Sequence, residues 1–223
     1  MSTKVGVIAE GAIDLALLPP LLERIARDRA GFAWPVNAED MTEFFPIRKR
    51  GFGGVVDTVQ KVLDVLEHGA FEHAFFVVLL DRRTRQAQEA IRDLLPNTDR
   101  FLLAVAMEEI EAWWLGDRRN TLAWSGLADC LPDSARYAAA GYKAESDDKP
   151  KATLNELTQI SARFDRCYGE GNLALAVEFA EDYWGDHADL ASIRVQCPRG
   201  YGPFERQATQ RFRSAAAAAR RAR

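Results

Sequence analysis

Apolar and polar positions along the first half of the chain follow the pattern typical of strands joined by helices. Three short segments are almost wholly apolar, namely Lys4–Ala9, Ala74–Leu80 and Phe101–Val105. Apolar runs of this length indicate strands of a parallel sheet that is covered on both faces. A fourth strand is expected within Phe32–Ile47. The pattern therefore predicts an α/β fold whose core is a parallel sheet of about four strands with crossover helices.

Apolar residues at helical spacing fill the segments between these strands, and they predict helices over Ala12–Arg29, Val55–His68 and Thr84–Leu95. The prolines Pro19-Pro20 are expected to kink or divide the first helix, because proline removes a backbone donor and clashes with the preceding turn. The segment Gly51–Gly54 is expected to break the chain before the second helix.

Helical patterns dominate the second half of the chain. We therefore predict an α/β domain in residues 1–117 and a mostly helical region in residues 118–223. The tail 206–223 contains six arginines and no acidic residue. This tail is either a solvated terminal helix or a specific phosphate-binding segment.

Charge and composition narrow the classes of function. The chain has 29 Lys+Arg against 33 Asp+Glu, a formal net charge of −4. Nucleic acid would therefore have to bind through a local basic surface, since the protein as a whole does not attract a polyanion. The apolar runs are too short to cross a bilayer, and the start of the chain has no secretory pattern. These features predict a cytoplasmic protein without membrane contact.

Familiar motifs for nucleotide binding and covalent catalysis are absent from the sequence. It contains no GxxxxGK[ST], no GxGxxG after the first predicted strand and no GxSxG. The three histidines have no metal-binding spacing, and three cysteines without a CxxC do not suggest a zinc site or a disulfide framework. Carboxylates are the remaining candidates for chemistry.

Acidic residues follow three predicted strands. They are Glu10, Asp81 and the group Glu108, Glu109 and Glu111. Ligands of open parallel sheets bind at the carboxyl ends of the strands. Carboxylates gathered there repel one another, and a hard divalent cation such as Mg²⁺ removes that repulsion. The alternative is that these acids are helix caps or solvated turn residues.

Two of these segments resemble a known family. The segment Val7–Asp14, with its Glu10-Gly11 and an acid four residues after Glu10, resembles the TOPRIM signature, and Leu79-Leu80-Asp81 resembles the second acidic strand end of that fold. TOPRIM domains occur in primases, type II topoisomerases, recombination mediators and OLD-type nucleases. The resemblance implies a TOPRIM-like fold with a Mg²⁺ or Mn²⁺ site that includes Glu10, Asp14 and Asp81.

A closer resemblance is to a TOPRIM-like, OLD-nuclease-related bacterial family encoded beside ABC-type or SMC-like ATPases in anti-phage loci. The segments that carry it are Glu109–Trp113, Lys149-Pro150-Lys151, Cys197-Pro198, Phe204 and Glu205. It implies a role in antiviral defence with an ATPase partner. It also favours Glu109 and Glu111 as the third acidic group. Local structure alone leaves two alternatives: a helix that begins at Glu108 would place Glu108 and Glu111 on one face, whereas a strand that continues through this segment would place Glu109 and Glu111 on one side.

The second acidic site departs from the usual family pattern. TOPRIM nucleases have Asp-x-Asp there, whereas this chain has Asp81-Arg82-Arg83. Arg83 either contacts a substrate phosphate or marks a weakened two-metal site.

The leading prediction is a metal-dependent nuclease that hydrolyses DNA or RNA. Its expected catalytic residues are Glu10, Asp81, Glu109 and Glu111. Asp14 would complete the metal site, and Arg83, Lys149 and Lys151 would hold substrate phosphate.

The alternative is a non-catalytic or conditionally active subunit of an ATPase complex, which the acidic net charge favours. A receiver-like phosphotransfer domain ranks third, because no lysine stands at the end of a later strand. The sequence is compatible with an oligomer and leaves the choice of one or two metal ions open.

Overall fold

A computed structural model of the protein describes residues 2–45, 51–69, 71–81, 85–95, 100–165, 167–168 and 173–221. In these residues the first half of the chain forms a parallel sheet with crossover helices, and the second half is helical. The predicted α/β class is confirmed. No helix in these ranges combines the length and the apolar character needed to cross a bilayer.

The sheet has four parallel strands: β1 (Thr3–Ile8), β2 (Val36–Asp40), β3 (Phe75–Leu80) and β4 (Phe101–Val105). Their spatial order is β2-β1-β3-β4. Strand β1 pairs with β3 from Val5 opposite Phe75 onward, so the carboxyl ends of these two strands lie side by side. Every side chain of β3 is buried, as expected for a central strand with both faces covered.

Three crossover helices connect the strands: α1 (Ala12–Asp28), α2 (Gly51–Glu67) and α3 (Arg85–Leu94). The expected division of the first helix at the prolines is wrong, since α1 is continuous through Pro19 and Pro20. Buried leucines stand immediately before and after the prolines, namely Leu17, Leu18, Leu21 and Leu22. Burial of four such side chains offsets the roughly 3 kcal/mol that an interior proline costs.

The glycine segment before the second helix also differs from expectation. Helix α2 begins at Gly51, so Gly53 and Gly54 lie inside the helix instead of breaking the chain. Gly54 is buried, and its carbonyl oxygen accepts a hydrogen bond from the Thr58 hydroxyl at 2.8 Å. Close packing of this first turn explains why small residues occupy it.

In its described residues, the helical region contains six further α-helices. They are α4 (Glu111–Leu115), α5 (Arg118–Trp124), α6 (Pro150–Ile160), α7 (Leu173–Glu178), α8 (Leu190–Gln196) and α9 (Tyr201–Arg221). Helix α7 continues into a π-helical stretch over Phe179–His187. Helix α9 is the longest, and it packs against β4 and α1.

One hydrophobic core joins the sheet to the helical region. It contains residues from β1, α1 and β3 together with Trp113, Trp114 and Phe212. The Trp113 ring stacks on Phe204 with centroids 5.1 Å apart, and Phe75 of β3 meets Phe212 of α9 at 5.1 Å. A smaller cluster on the other face of the sheet lies under α2 and α3. Helices from both halves of the chain therefore pack against the sheet.

Candidate functional site

A cleft of about 470 Å³ opens at the carboxyl ends of β1 and β3. We call it the acidic cleft, because it is lined by five carboxylates and one lysine: Glu10, Asp14, Asp81, Glu109, Glu111 and Lys151. All five acids that the sequence predicts as metal ligands thus lie in one place. They come from three separate parts of the chain.

The topology of the sheet brings the first three acids together. Glu10 follows β1 by two residues and Asp81 directly follows β3, and these strands are neighbours. Asp14 lies in the first turn of α1, where its Oδ2 accepts a hydrogen bond of 3.0 Å from the Gly11 backbone N–H. A Cβ on Gly11 would lie only 3.3 Å from that oxygen. The glycine therefore leaves room for the Asp14 carboxylate beside the backbone.

Glu109 and Glu111 reach the acidic cleft through a bend after β4. The strand ends at Val105 and α4 begins at Glu111, so neither a longer strand nor a helix starting at Glu108 describes this segment. Glu108 has a φ of +68°, the left-handed region, which costs roughly 1 kcal/mol for a residue with a Cβ. This bend is the local feature that turns the chain from the strand into α4.

Lys151 connects α6 to the acidic cleft in two ways. Its backbone N–H donates to Glu109 Oε2 at 3.2 Å, and its Nζ lies 3.7 Å from Glu111 Oε1. Among the described residues that line the cleft, it is the one basic side chain. Lys151 therefore offsets part of the negative charge at this end of the sheet.

The start of α6 is held by Asp147, which sequence reasoning did not identify. Its carboxylate accepts hydrogen bonds from the Lys149 backbone N–H at 2.9 Å, the Thr153 hydroxyl at 2.5 Å and the Tyr142 hydroxyl at 2.9 Å. Together with an ion pair to Arg136 at 2.7 Å, these donors lower the pKa of Asp147 below its usual range. Asp147 thus fixes the turn that presents Lys151.

Tyr168 is a second residue that the sequence did not reveal. Its buried hydroxyl donates a 2.8 Å hydrogen bond to Glu111 Oε1. Burial and the adjacent Glu111 charge raise the pKa of Tyr168 far above its usual value, so it acts as a donor. A single tyrosine in a loop has no sequence pattern that would indicate this contact.

The carboxylates of the acidic cleft repel one another. Burial, followed by the charges of Asp81, Glu111 and Glu10, raises the pKa of Asp14 well above its ordinary value, although the Gly11 N–H opposes the shift. Burial also raises the pKa of Glu111, against the opposing effect of Lys151. Both shifts mean that ionising these carboxyls at neutral pH destabilises the fold.

The donor chemistry of the acidic cleft fits Mg²⁺ or Mn²⁺, which prefer carboxylate oxygen ligands. A divalent cation would also relieve the repulsion around Asp14. Within the ranges that the structure describes, however, no three Asp, Glu, His or Cys side chains are close enough to form a ready-made metal site.

The other predicted phosphate-binding residues are Lys149 and Arg83. Lys149 is exposed and is not among the residues that line the acidic cleft. Arg83 lies outside the described residues. Of the three predicted phosphate contacts, Lys151 is thus the one that the structure places beside the carboxylates.

No family model, curated protein or solved structure matches this chain. The TOPRIM-like resemblance therefore stays a prediction from the motifs themselves. The function is accordingly inferred from the geometry of the acidic cleft.

Proposed function

We propose that the protein is a metal-dependent phosphodiesterase that acts on nucleic acid. The observation that supports this most strongly is the convergence of five carboxylates from three chain segments on one cleft at the carboxyl ends of parallel strands. Carboxylates that lie close together in a partly buried cleft repel one another, and this repulsion contributes to the raised pKa of Asp14. A fold that gathers them is best explained by a cation that they share.

Glu10, Asp14 and Asp81 would hold the cation, and Glu109 and Glu111 would complete its surroundings or hold a second ion. Such an ion supplies positive charge for a scissile phosphate and lowers the pKa of water. Tyr168 orients the Glu111 carboxylate through its hydrogen bond. Lys151, held by α6, is placed to bind a substrate phosphate once the cation has neutralised its acidic neighbours.

The wider setting is also part of the proposal. The order of the motifs along the chain supports a TOPRIM-like nuclease of an anti-phage system that works with an ABC-type or SMC-like ATPase. A conditionally active form of this enzyme has its own support in the formal net charge of −4, because the protein as a whole does not attract a polyanion without a partner. A partner that closes the cleft would then switch the activity on.

Metal binding and cleavage should be measured together. We would titrate Mn²⁺ into the metal-free protein by calorimetry and assay single-stranded DNA and RNA cleavage, for the wild type, Asp81→Asn and Glu10→Gln. Each substitution removes a ligand charge while keeping the size of the side chain. We expect at least ~100-fold less cleavage and weaker Mn²⁺ binding, since a lost metal ligand removes several kcal/mol of transition-state stabilisation.

The matched control is Asp129→Asn, an exposed acid outside the acidic cleft, which should behave as the wild type. Unchanged Mn²⁺ binding in both cleft variants would overturn the proposal. If the wild type binds Mn²⁺ but cleaves only after the neighbouring ATPase is added, the conditionally active form is correct.

A further inference from the structure

A second and larger cleft lies at the opposite end of the same sheet. Its volume is about 730 Å³. Thr3 and Lys4 at the start of β1, Phe75 at the start of β3 and Arg100 just before β4 form one wall. The other wall is one face of α9. The lining residues on this face, which include Arg211, recur every three to four residues along the helix.

The charge of this basic cleft is the reverse of that at the acidic cleft. Among the described residues, Lys4, Arg100 and Arg211 line it together with one carboxylate, that of Glu72. Lys4 Nζ also pairs with Glu39 at 3.2 Å, outside the lining residues. The guanidinium groups are oriented by backbone carbonyls: Arg211 donates to Phe101 at 3.2 Å and Arg100 to Phe71 at 3.5 Å.

We propose that the basic cleft binds the phosphate backbone of a nucleic acid. The side chains of Lys4, Arg100 and Arg211 line this one cleft although they come from distant parts of the chain. Guanidinium groups match phosphate oxygens with two parallel hydrogen bonds. The identification of the anion as nucleic acid rests on the proposed function, whereas the anion site itself rests on this geometry.

Several features favour nucleic acid over an acidic protein. The hydroxyls of Ser2, Thr3 and Ser214 lie among the cations, and hydroxyl groups are common donors to phosphate oxygens. Ala215 and Ala218 give the α9 wall a small apolar surface that a sugar can contact. Residues 206–221 of α9 also contain five arginines and no acid, so this helix adds no carboxylate that would repel a phosphate backbone.

The two clefts are separated by the length of the strands, roughly 20 Å at 3.3 Å per residue. A phosphate held in the basic cleft is therefore several nucleotides away from the acidic cleft. The basic cleft would hold the substrate without taking part in its cleavage.

Binding should be measured without metal, so that no cleavage occurs. We would follow the fluorescence anisotropy of a labelled 20-nucleotide single-stranded DNA in EDTA across a range of salt concentrations. The variant is Lys4→Gln/Arg211→Gln, with the single Lys4→Gln as a milder change at a half-exposed side chain. The matched control is Arg220→Gln, an exposed arginine nine residues from Arg211 and so on the opposite face of α9.

We expect the double variant to bind about 10-fold more weakly, with a shallower dependence of log K on log salt. Lys4→Gln should bind about 3-fold more weakly, and Arg220→Gln should stay within 2-fold of the wild type. Equal losses in Arg220→Gln and the double variant would overturn the proposal, because they would reflect general charge instead of the cleft. Lys4→Gln binding as tightly as wild type would also overturn it.

Competition experiments with unlabelled anions distinguish which class of anion the basic cleft binds. Unlabelled DNA should displace the probe, whereas inorganic phosphate, AMP and polyglutamate should do so only at far higher concentrations. Displacement by phosphate or AMP as effective as that by DNA would overturn the proposal in favour of a small phosphorylated ligand, and equal displacement by polyglutamate in favour of an acidic protein. Asp129→Asn, an exposed acid that lines neither cleft, should bind the probe as the wild type does. Because binding is measured without metal, this test can be interpreted even if the nuclease proposal fails.

Discussion

The two ends of the sheet have opposite charge. Among the described residues, five carboxylates and Lys151 line the acidic cleft at the carboxyl ends of the strands, whereas three cations and Glu72 line the basic cleft at the amino ends. The same strands form part of both clefts, so the difference arises from the residues just before and just after them and from the helices that pack there. A formal net charge of −4 therefore conceals a strongly polar arrangement, and net charge alone is a poor guide to what this protein binds.

Removing Lys151 would make the acidic end uniformly negative and should have the largest effect. Lys151→Met keeps the length of the side chain but leaves Glu111 without its nearby cation. We expect ~100-fold less cleavage, or about 3 kcal/mol, since the variant loses a phosphate contact. Steady-state cleavage of single-stranded DNA at saturating Mg²⁺ measures this.

Lys149→Met is the control for that prediction, because Lys149 is an exposed neighbour whose side chain does not line the acidic cleft. It should lose no more than about 2-fold. Comparable losses in the two variants would show that positive charge near the start of α6 matters in general, and that Lys151 has no special position.

Neutralising Asp14 would reduce the difference in charge between the two ends of the sheet, because it removes one of the mutually repelling carboxylates of the acidic cleft. Asp14→Asn retains an oxygen that can accept from the Gly11 N–H. We expect the metal-free variant to be more stable than the wild type at neutral pH by about 1–2 kcal/mol, a rise in Tm of roughly 3–6 °C. Thermal unfolding in EDTA tests this, and a lower Tm would show that Asp14 is a stabilising helix cap.

The difference in stability between Asp14→Asn and the wild type should depend on pH, because the pKa of Asp14 is raised in the folded state. A carboxyl with a folded pKa above its unfolded value binds more protons in the folded state, so its favourable contribution is complete below the unfolded pKa and is lost as pH rises through the folded pKa. The advantage of Asp14→Asn should accordingly be close to zero near pH 3 and grow toward neutral pH. A constant difference across this range would contradict the electrostatic origin.

Removing Glu72 would make the basic end uniformly positive and should have the smallest effect. Glu72→Gln at this exposed position should strengthen DNA binding in EDTA by about 2–3-fold at low salt, with the gain fading as salt screens the charge. Glu67→Gln, an exposed acid that does not line the basic cleft, is the control. Equal gains in both variants would indicate a general charge effect.

The sheet could be predicted from sequence because buried parallel strands are apolar throughout. Phe101–Val105 agrees with the structure at both ends, and β3 is shorter than expected by one residue. The acidic cleft could also be predicted from sequence, because residues that follow neighbouring parallel strands lie at the same edge of the sheet. Periodicity and strand ends are local signals, and the structure follows them closely.

The remaining features depend on packing between distant segments. The continuity of α1 through Pro19 and Pro20 reflects burial of flanking leucines, which a local rule for proline does not count. The contact of Tyr168 with Glu111 spans 57 positions. The basic cleft requires α9 to lie against β4, and nothing in the local pattern around Arg211 or Arg100 shows that they meet.

The position of α9 has a consequence for how the protein is made. Phe212 packs on Phe75, and Glu205 pairs with Arg29 at 2.7 Å across 176 positions. During synthesis the strands therefore leave the ribosome well before the helix that covers one of their faces. Until α9 emerges, the nascent chain exposes part of that apolar face, and exposed apolar surface favours aggregation during this interval.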